Sequence, residues 1–217
     1  GLRSLVDGDI EAARDSFTAV LDALPGEAAP KLALALCAER AGATELAARY
    51  YETVWQTDRR YVSAAFGLAR ARFAQGDRSG MATALEAVPE SSRYSATARL
   101  CAILGRHRGC TNGQPPVADF FTAAEQLPAL ELDERRRELA IAEVLETALR
   151  WERAGRPWTH ERAAPIPDTL FGRPLNQRGV KDGLEAAYLE LARLAPTRAE
   201  RVTLVDKANH HRNRSWT

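Results

Sequence analysis

Small and apolar residues recur along the first part of this chain at a spacing of 34 positions. Glycine stands at positions 8, 42 and 76. The same register aligns four further sets, each of small or apolar residues: Gly1, Ala35 and Ala69; Ala13, Ala47 and Met81; Phe17, Tyr51 and Leu85; Val20, Val54 and Val88. Agreement of five sets in one register indicates a structural repeat over residues 1–93, because a single coincidence at this spacing would mean little.

A period of 34 residues is that of the tetratricopeptide repeat, a helix–turn–helix unit. The glycines can adopt the left-handed conformation that ends the first helix of each unit. Asp9 and Asp77 follow two of these glycines and are expected to cap the second helix. The apolar sets then form one stripe at helical spacing. Because the register places Gly1 within a first helix, we expect the chain to be a fragment of a longer protein.

A divergent fourth helix pair is predicted over residues 94–128, with helices at Ser95–Arg108 and Val117–Gln126. The fourth glycine position is occupied by Cys110, and the loop through residues 111–116 is longer than the repeat allows. Met81 is larger than the alanine usual at its position, so the third unit is expected to pack more loosely there or to shift.

The remaining residues, 129–217, predict a helical extension without the 34-residue period. Apolar spacing indicates a helix of about 20 residues starting near Leu132. Four prolines in residues 156–176 exclude a continuous helix, and the apolar residues among them should lie against the helices. Two helices follow, at about Gly179–Leu194 and Thr197–His210, the second with a capping box. The predicted fold class is therefore all-α, an α-solenoid of three recognisable tetratricopeptide-type repeats and a divergent fourth, continued by C-terminal helices.

Composition and charge narrow the possible partners. The chain has 30 basic and 29 acidic residues, which gives no electrostatic reason to expect nucleic acid or an anionic membrane as a partner. No apolar run approaches the roughly 18 residues needed to span a bilayer, so no membrane insertion is expected. Cys37 and Cys101 lie in apolar helical stretches and are expected to be buried thiols. We expect a cytoplasmic protein.

Three groups of residues carry side chains that could form a chemical site. His107 and Cys110 are three positions apart, but a metal site needs three or four convergent ligands. The basic end with His210 and His211 suits a helix C-terminus without a partner. The consecutive arginines at 135–137 are flanked by acidic residues at 131, 133, 134 and 138, and should form internal ion pairs with them on a solvated helix face. Phosphate-binding and kinase catalytic motifs are absent from the sequence. We therefore predict no catalytic, cofactor-binding or metal-binding residues.

A protein-binding groove is the stronger functional prediction. The first helices of successive repeats line the concave face of a tetratricopeptide array. The register assigns the following residues to that face: Leu32, Leu36, Glu39 and Arg40 from the second unit, and Ser63, Phe66, Arg70 and Phe73 from the third. This set is more apolar than the Lys/Asn set with which some adaptors hold a peptide carboxylate. The groove is expected to contact protein, either another part of the parent chain or a second copy; the alternative is that the later helices cover it.

Several segments resemble a known family. They comprise Ala29–Leu34 (APKLAL), Tyr51–Trp55 (YETVW), Ser63–Arg72 (SAAFGLARAR), Leu191–Thr197 (LARLAPT) and Thr203–Asn209 (TLVDKAN). They resemble the C-terminal region of the actinobacterial serine/threonine protein kinase G family. The resemblance extends over nearly the whole chain and is weaker from about Gly105 to Pro174.

This resemblance implies an upstream kinase domain in the parent protein, often preceded by a rubredoxin-like iron site. It also implies that the repeat region supports the kinase and takes part in self-association, while the kinase phosphorylates a forkhead-associated regulator of 2-oxoglutarate metabolism. The ATP-, magnesium- and iron-binding motifs of the family are not in this sequence, so only the scaffold role carries over. Two alternatives stay open: a free-standing peptide-binding adaptor, and a ligand-binding or enzymatic site around residues 156–176, with Trp158 and His160 as its test residues.

Overall fold

The computed structural model describes residues 1–108, 117–158 and 166–213. The chain divides into two compact units, Gly1–Gly105 and Arg106–Thr217, with the border inside one helix. Within the described residues almost all regular structure is α-helical, so the predicted all-α class is confirmed. None of the helices in these ranges is long and apolar enough to cross a membrane.

The first unit is a series of antiparallel helix pairs. Consecutive helices from α1 to α6 pack on one another, and α3 also contacts α5, as expected when equivalent helices of neighbouring repeats lie side by side. The bounds are α1 Leu2–Asp7, α2 Ile10–Ala23, α3 Ala28–Arg40, α4 Thr44–Thr57, α5 Val62–Ala74, α6 Arg78–Glu86 and α7 Ser95–His107.

The turns within these pairs follow the sequence prediction. Gly8, Gly42 and Gly76 have φ angles of 84°, 75° and 80°, a left-handed conformation that is costly for other residues. Asp9 accepts a hydrogen bond from the amide of Ala12 at 3.0 Å. Asp77 accepts the equivalent bond from the amide of Gly80 at 2.7 Å. Both aspartates therefore cap the helices that follow them, which confirms the prediction.

The aligned apolar residues are buried in the second and third repeats, whereas in the first repeat Ala13 alone is buried, Phe17 is partly buried, and Gly1 and Val20 are exposed. Ala13 and Ala47 are fully buried, and Val54 is 1% exposed. Val20, at the equivalent position of the first repeat, is 43% exposed, so its assignment to the buried stripe was wrong. The reason is that α2 packs on one helix of full length, α3, and on α1, which has 6 residues, whereas α4 packs on α3 and α5, which have 13 each.

Met81 is buried in the third repeat, so the looser packing that the sequence predicted there is not observed; the alternative, a shift of the third unit, stays a prediction. Its side chain is 3% exposed. A Cβ added to Gly105, on α7, would lie 2.4 Å from the Met81 terminal methyl group. Gly105 is 34 positions after Ala71. The larger residue on α6 is thus matched by a smaller residue on the next helix, and the packing stays dense.

The second unit is a helical layer to which a small hairpin is attached. Helix α8 packs on α9, α9 on α10, and α10 on α11. Helices α7 and α8 occupy the two predicted helices of the fourth pair, and the predicted loop through residues 111–116 lies outside the described residues. The remaining bounds are α8 Val117–Ala129, α9 Glu134–Arg153, β1 Thr169–Leu170, β2 Arg173–Pro174, α10 Gln177–Arg193 and α11 Arg198–His211.

The proline-rich segment contains the hairpin, which the sequence did not predict. Strands β1 and β2 are antiparallel, with Leu170 paired to Arg173. The turn residues Phe171 and Gly172 have φ angles of 50° and 72°, and two positive φ angles are what the tight type I′ turn requires. Leu170 is fully buried, and β2 packs on α10. The expectation that this segment lies against the helices is met for its described residues.

The two described cysteines differ in exposure. Cys37 is 1% exposed, as predicted. Cys101 is exposed, so its assignment as a buried thiol was wrong. The buried apolar side chains of α7 include those of Ala98, Ala102 and Ile103, and Cys101 falls outside the face that they form.

Candidate protein-contact groove

A shallow concavity of about 400 Å³ lies on the first unit between α3 and α5. Five of the eight residues that the repeat register assigned to a groove line it, together with one residue of α4. The lining residues are Leu32, Leu36, Tyr51, Ser63, Phe66 and Arg70. We call this concavity the groove.

The repeat register explains why these side chains meet. Phe66 is 34 positions after Leu32, and Arg70 is 34 positions after Leu36. Equivalent positions of stacked repeats lie on the same face, so the two pairs form two short rows across α3 and α5. Leu36 is 37% exposed, while Leu32 and Phe66 are half-buried. The groove therefore presents apolar surface that the first unit does not cover.

Glu39 joins three helices beside the groove. The Arg70 guanidinium on α5 donates to both carboxylate oxygens of Glu39 on α3, with Nε–Oε1 and Nη2–Oε2 distances of 2.6 and 2.9 Å. The Tyr51 hydroxyl on α4 donates to Glu39 Oε2 at 2.8 Å. A bidentate pair of this kind fixes the orientation of the guanidinium and also compensates its charge. We call these three residues the clamp.

The clamp also fixes the protonation states of its members. The hydrogen bond from Arg70 is the main cause that lowers the pKa of Glu39, against a smaller opposing effect of burial. Burial raises the pKa of Tyr51, and its hydrogen bond to the Glu39 carboxylate raises that pKa further. At neutral pH the clamp therefore holds an ionised carboxylate, a guanidinium ion and a neutral phenol. Its net charge is zero.

Gly67 allows Tyr51 to reach Glu39. A Cβ added to Gly67 would lie 2.4 Å from a carbon of the Tyr51 ring. The Tyr51 ring therefore packs directly on the backbone of α5 at Gly67, the glycine of that helix. Sequence reasoning assigned Tyr51 to the core stripe and missed its place in the groove. Two features of the sequence could have indicated this place: Tyr51 has a polar hydroxyl within an apolar stripe, and Gly67 lies in the middle of the next helix.

The other three residues predicted for the groove are not among its lining residues. Glu39 holds Arg70 and Tyr51 from the end of α3. Arg40 is exposed in the last turn of α3, and Phe73 is 37% exposed near the end of α5. Phe73 is 34 positions after Glu39, so these two residues occupy one row at the edge of the groove.

Comparison with known proteins identifies the family. The chain matches the family model described as the protein kinase G tetratricopeptide repeat over residues 1–215. It belongs to this family. The chain is 41% identical over 206 residues to the serine/threonine-protein kinase PknG of Mycolicibacterium smegmatis, and 40% identical over 205 residues to that of Mycobacterium leprae. Each alignment covers 94% of this chain and 26% of the relative, so the chain spans about a quarter of the length of these kinases.

Three consecutive arginines of this protein kinase G repeat region, at the start of α9, contact neighbouring groups of the second unit. Arg135 pairs with Glu200, and Arg136 Nε lies 3.2 Å from Asp133 Oδ2. Arg137 donates to the backbone carbonyls of Leu130 and Leu132. The predicted internal ion pair is thus confirmed at position 136, whereas Arg135 pairs with a residue of α11.

The basic C-terminal cluster and the histidine–cysteine pair can be placed only in part. His211 stacks on Tyr188 with ring centroids 5.8 Å apart, and Lys207 Nζ lies 5.2 Å from the centre of the same ring. Cys110 and His160 lie outside the described residues. Across residues 1–108, 117–158 and 166–213, no group of three or more potential ligands could hold a metal ion.

Trp158, the test residue of the alternative ligand site, lies in an aromatic cluster of the second unit. Its ring centroid is 5.2 Å from that of Phe120 and 5.7 Å from that of Trp151. Its indole N–H donates to Glu152. These contacts satisfy both the apolar body and the polar tip of the tryptophan, which accounts for the residue by packing alone.

Proposed function

We propose that this chain is a non-catalytic scaffold region of a serine/threonine protein kinase, and that its groove docks onto the kinase portion of the same protein. One observation carries the proposal: Leu32, Leu36 and Phe66 meet in one concavity of the first unit and leave apolar surface there uncovered. The relatives support the choice of partner, since they are named as kinases and this chain corresponds to only 26% of their length. This match also favours an attached kinase over a free-standing adaptor.

The chemistry of the groove suits a protein contact. Fully burying an apolar side chain such as Phe66 is worth about 1.5–3 kcal/mol. Aromatic residues and arginine are the residue types that dominate binding energy at protein interfaces. A kinase portion tethered to the same chain would also bind at a high effective concentration, so a modest groove could hold it.

Photo-cross-linking in the full-length parent protein tests the docking. A photoreactive amino acid replaces Ser63, which lines the groove, and in a control it replaces Ser91, which is exposed elsewhere on the first unit. We expect an intramolecular cross-link to the kinase portion from position 63 and none from position 91. The double substitution Phe66→Ala and Phe73→Ala should abolish that cross-link, whereas Leu46→Ala, at an exposed leucine of α4, should preserve it.

The same experiment separates the competing partners. A cross-link between two copies would show self-association through the groove in place of docking onto the kinase portion. Absence of a specific cross-link from position 63 would contradict both partners.

The proposal also assigns no cofactor to this region, and elemental analysis of the purified chain tests that assignment. It places the protein in the cytoplasm, because a protein kinase uses the ATP of that compartment.

A further inference from the structure

The charge of the groove is already compensated. Arg70 is the charged residue among the six that line it. Its guanidinium is held at two points by Glu39, at 2.6 and 2.9 Å. Because Glu39 pairs with Arg70, an incoming ligand meets a neutral pair and an apolar wall formed by Leu32, Leu36 and Phe66.

The pairing determines how the groove responds to a negatively charged ligand. A carboxylate brought to Arg70 would also approach the carboxylate of Glu39, and like charges placed together across an interface oppose binding. An uncharged apolar side chain meets no such repulsion and gains from the burial of the leucine and phenylalanine surface. The hydroxyl of Tyr51, which donates to Glu39, keeps the carboxylate facing Arg70.

We propose that Glu39 is the specificity-determining residue of the groove: by neutralising Arg70 it makes the groove select an uncharged apolar side chain of the partner and reject a carboxylate. Tyr51 acts through Glu39 as a positioning residue. The inference rests on the proposed function for the identity of the partner, but the selectivity itself belongs to the groove and can be measured on this chain alone.

Two small probes of equal shape test the selectivity. N-acetylleucine carries a carboxylate, and N-acetylleucinamide replaces it with a neutral amide. Each is titrated into the isotope-labelled chain, and binding is followed by the NMR shifts of the Ser63 and Phe66 backbone amides. We expect the wild-type chain to bind the neutral probe about threefold to fivefold more tightly, the range of a partly exposed charge interaction.

Each substitution in the clamp should change the preference between the two probes in a specific way. Glu39→Gln leaves Arg70 charged and unpaired, so the preference should reverse in favour of the carboxylate. The double variant Glu39→Gln/Arg70→Gln removes both charges and should bind the two probes equally. Glu90→Gln is the matched control, because Glu90 also pairs with an arginine at 2.6 Å, that of Arg99, away from the groove; it should keep the wild-type preference.

Three results would overturn the proposal: a wild-type preference for the carboxylate, an unchanged preference in Glu39→Gln, or no shift of the groove amides with either probe. Circular dichroism of each variant establishes that it is folded. Failure of the docking proposal looks different. In that case the probes still discriminate as described, while the full-length protein gives no cross-link from position 63 to the kinase portion.

Discussion

Glu39 accepts hydrogen bonds from Arg70 and Tyr51, so one carboxylate links α3 to both of the helices that follow it. Because this residue is partly buried and its partners act on its ionised form, the clamp couples protonation to folding. Glu39 and Arg70 lie on helices α3 and α5, so their pairing cannot be recognised from local spacing in the sequence. The prediction of Glu39 as a groove residue followed from the register, whereas its pairing with Arg70 emerged only from the structure.

The pH dependence of stability tests the clamp. Since the folded state lowers the pKa of Glu39, the stabilisation by its carboxylate is present above the pKa of the unfolded chain and is lost as pH falls through the folded pKa. The difference in unfolding free energy between wild type and Glu39→Gln should therefore shrink from about pH 6 to about pH 3. Urea unfolding at a series of pH values measures it. A difference that stays constant or grows toward acid contradicts the assignment.

Gly67→Ala tests the close passage of Tyr51 over α5. Alanine would gain about 0.5–1 kcal/mol of helix propensity, but its Cβ would meet the Tyr51 ring, and overpacking of this kind costs about 1–3 kcal/mol. We expect a net loss of about 1–2 kcal/mol in urea unfolding. The control is Gly26→Ala, where an added Cβ has no neighbour within 4 Å. Equal effects at the two positions would show that the contact at Gly67 is unimportant.

Turns and helix caps that depend on nearby residues could be predicted from the sequence. Features that depend on packing against other helices could not. The glycine turns and the caps of Asp9 and Asp77 follow from backbone freedom and side-chain acceptors within four residues. The hairpin was missed because its turn carries Phe171 at positive φ, in place of the asparagine or glycine usual there. Met81 was misjudged because its packing depends on Gly105, on the helix after its own.

A double-mutant cycle tests the fit between α6 and α7. Met81→Ala alone should cost about 2–3 kcal/mol through the cavity it leaves. Gly105→Ala alone should destabilise by overpacking against the methionine. Combined, they recreate the alanines that stand 34 positions earlier, Ala47 on α4 and Ala71 on α5, so the double variant should be at least about 1 kcal/mol more stable than additivity predicts. Strict additivity in chemical denaturation would mean that the two residues do not interact.

At the scale of the molecule, the resemblance of sequence segments and the 34-residue register predicted the family and the repeat architecture. The register placed five residues that line one concavity but missed Tyr51, and Arg40 and Phe73 are not among the lining residues; the role of this concavity in protein contact stays a prediction. The exposure of Val20 and of Cys101 could not be predicted, because each depends on which surface a neighbouring helix covers. Burial is therefore uneven along the first unit, and local stability should follow it.

Hydrogen exchange tests this unevenness. Helix α1 has 6 residues and no buried side chain, whereas α4 contains Tyr51, Val54 and Trp55 in the core. Such a short helix is marginal by itself. We expect the amides of α1 to exchange with an opening free energy of about 0–1 kcal/mol, and those of α4 to approach the global value. Comparable protection of both helices in the isolated chain would contradict this.

The contact between Met81 and Gly105 also constrains how this sequence can have diverged from an alanine-bearing repeat. Methionine arriving first would have met a Cβ on the neighbouring helix and overfilled the core, at a cost of about 1–3 kcal/mol. Glycine arriving first would have cost about 0.5–1 kcal/mol, and would have opened the space that the methionine later filled. The less costly mutational path therefore runs through the glycine, which makes the substitution at position 105 permissive and the one at position 81 contingent upon it.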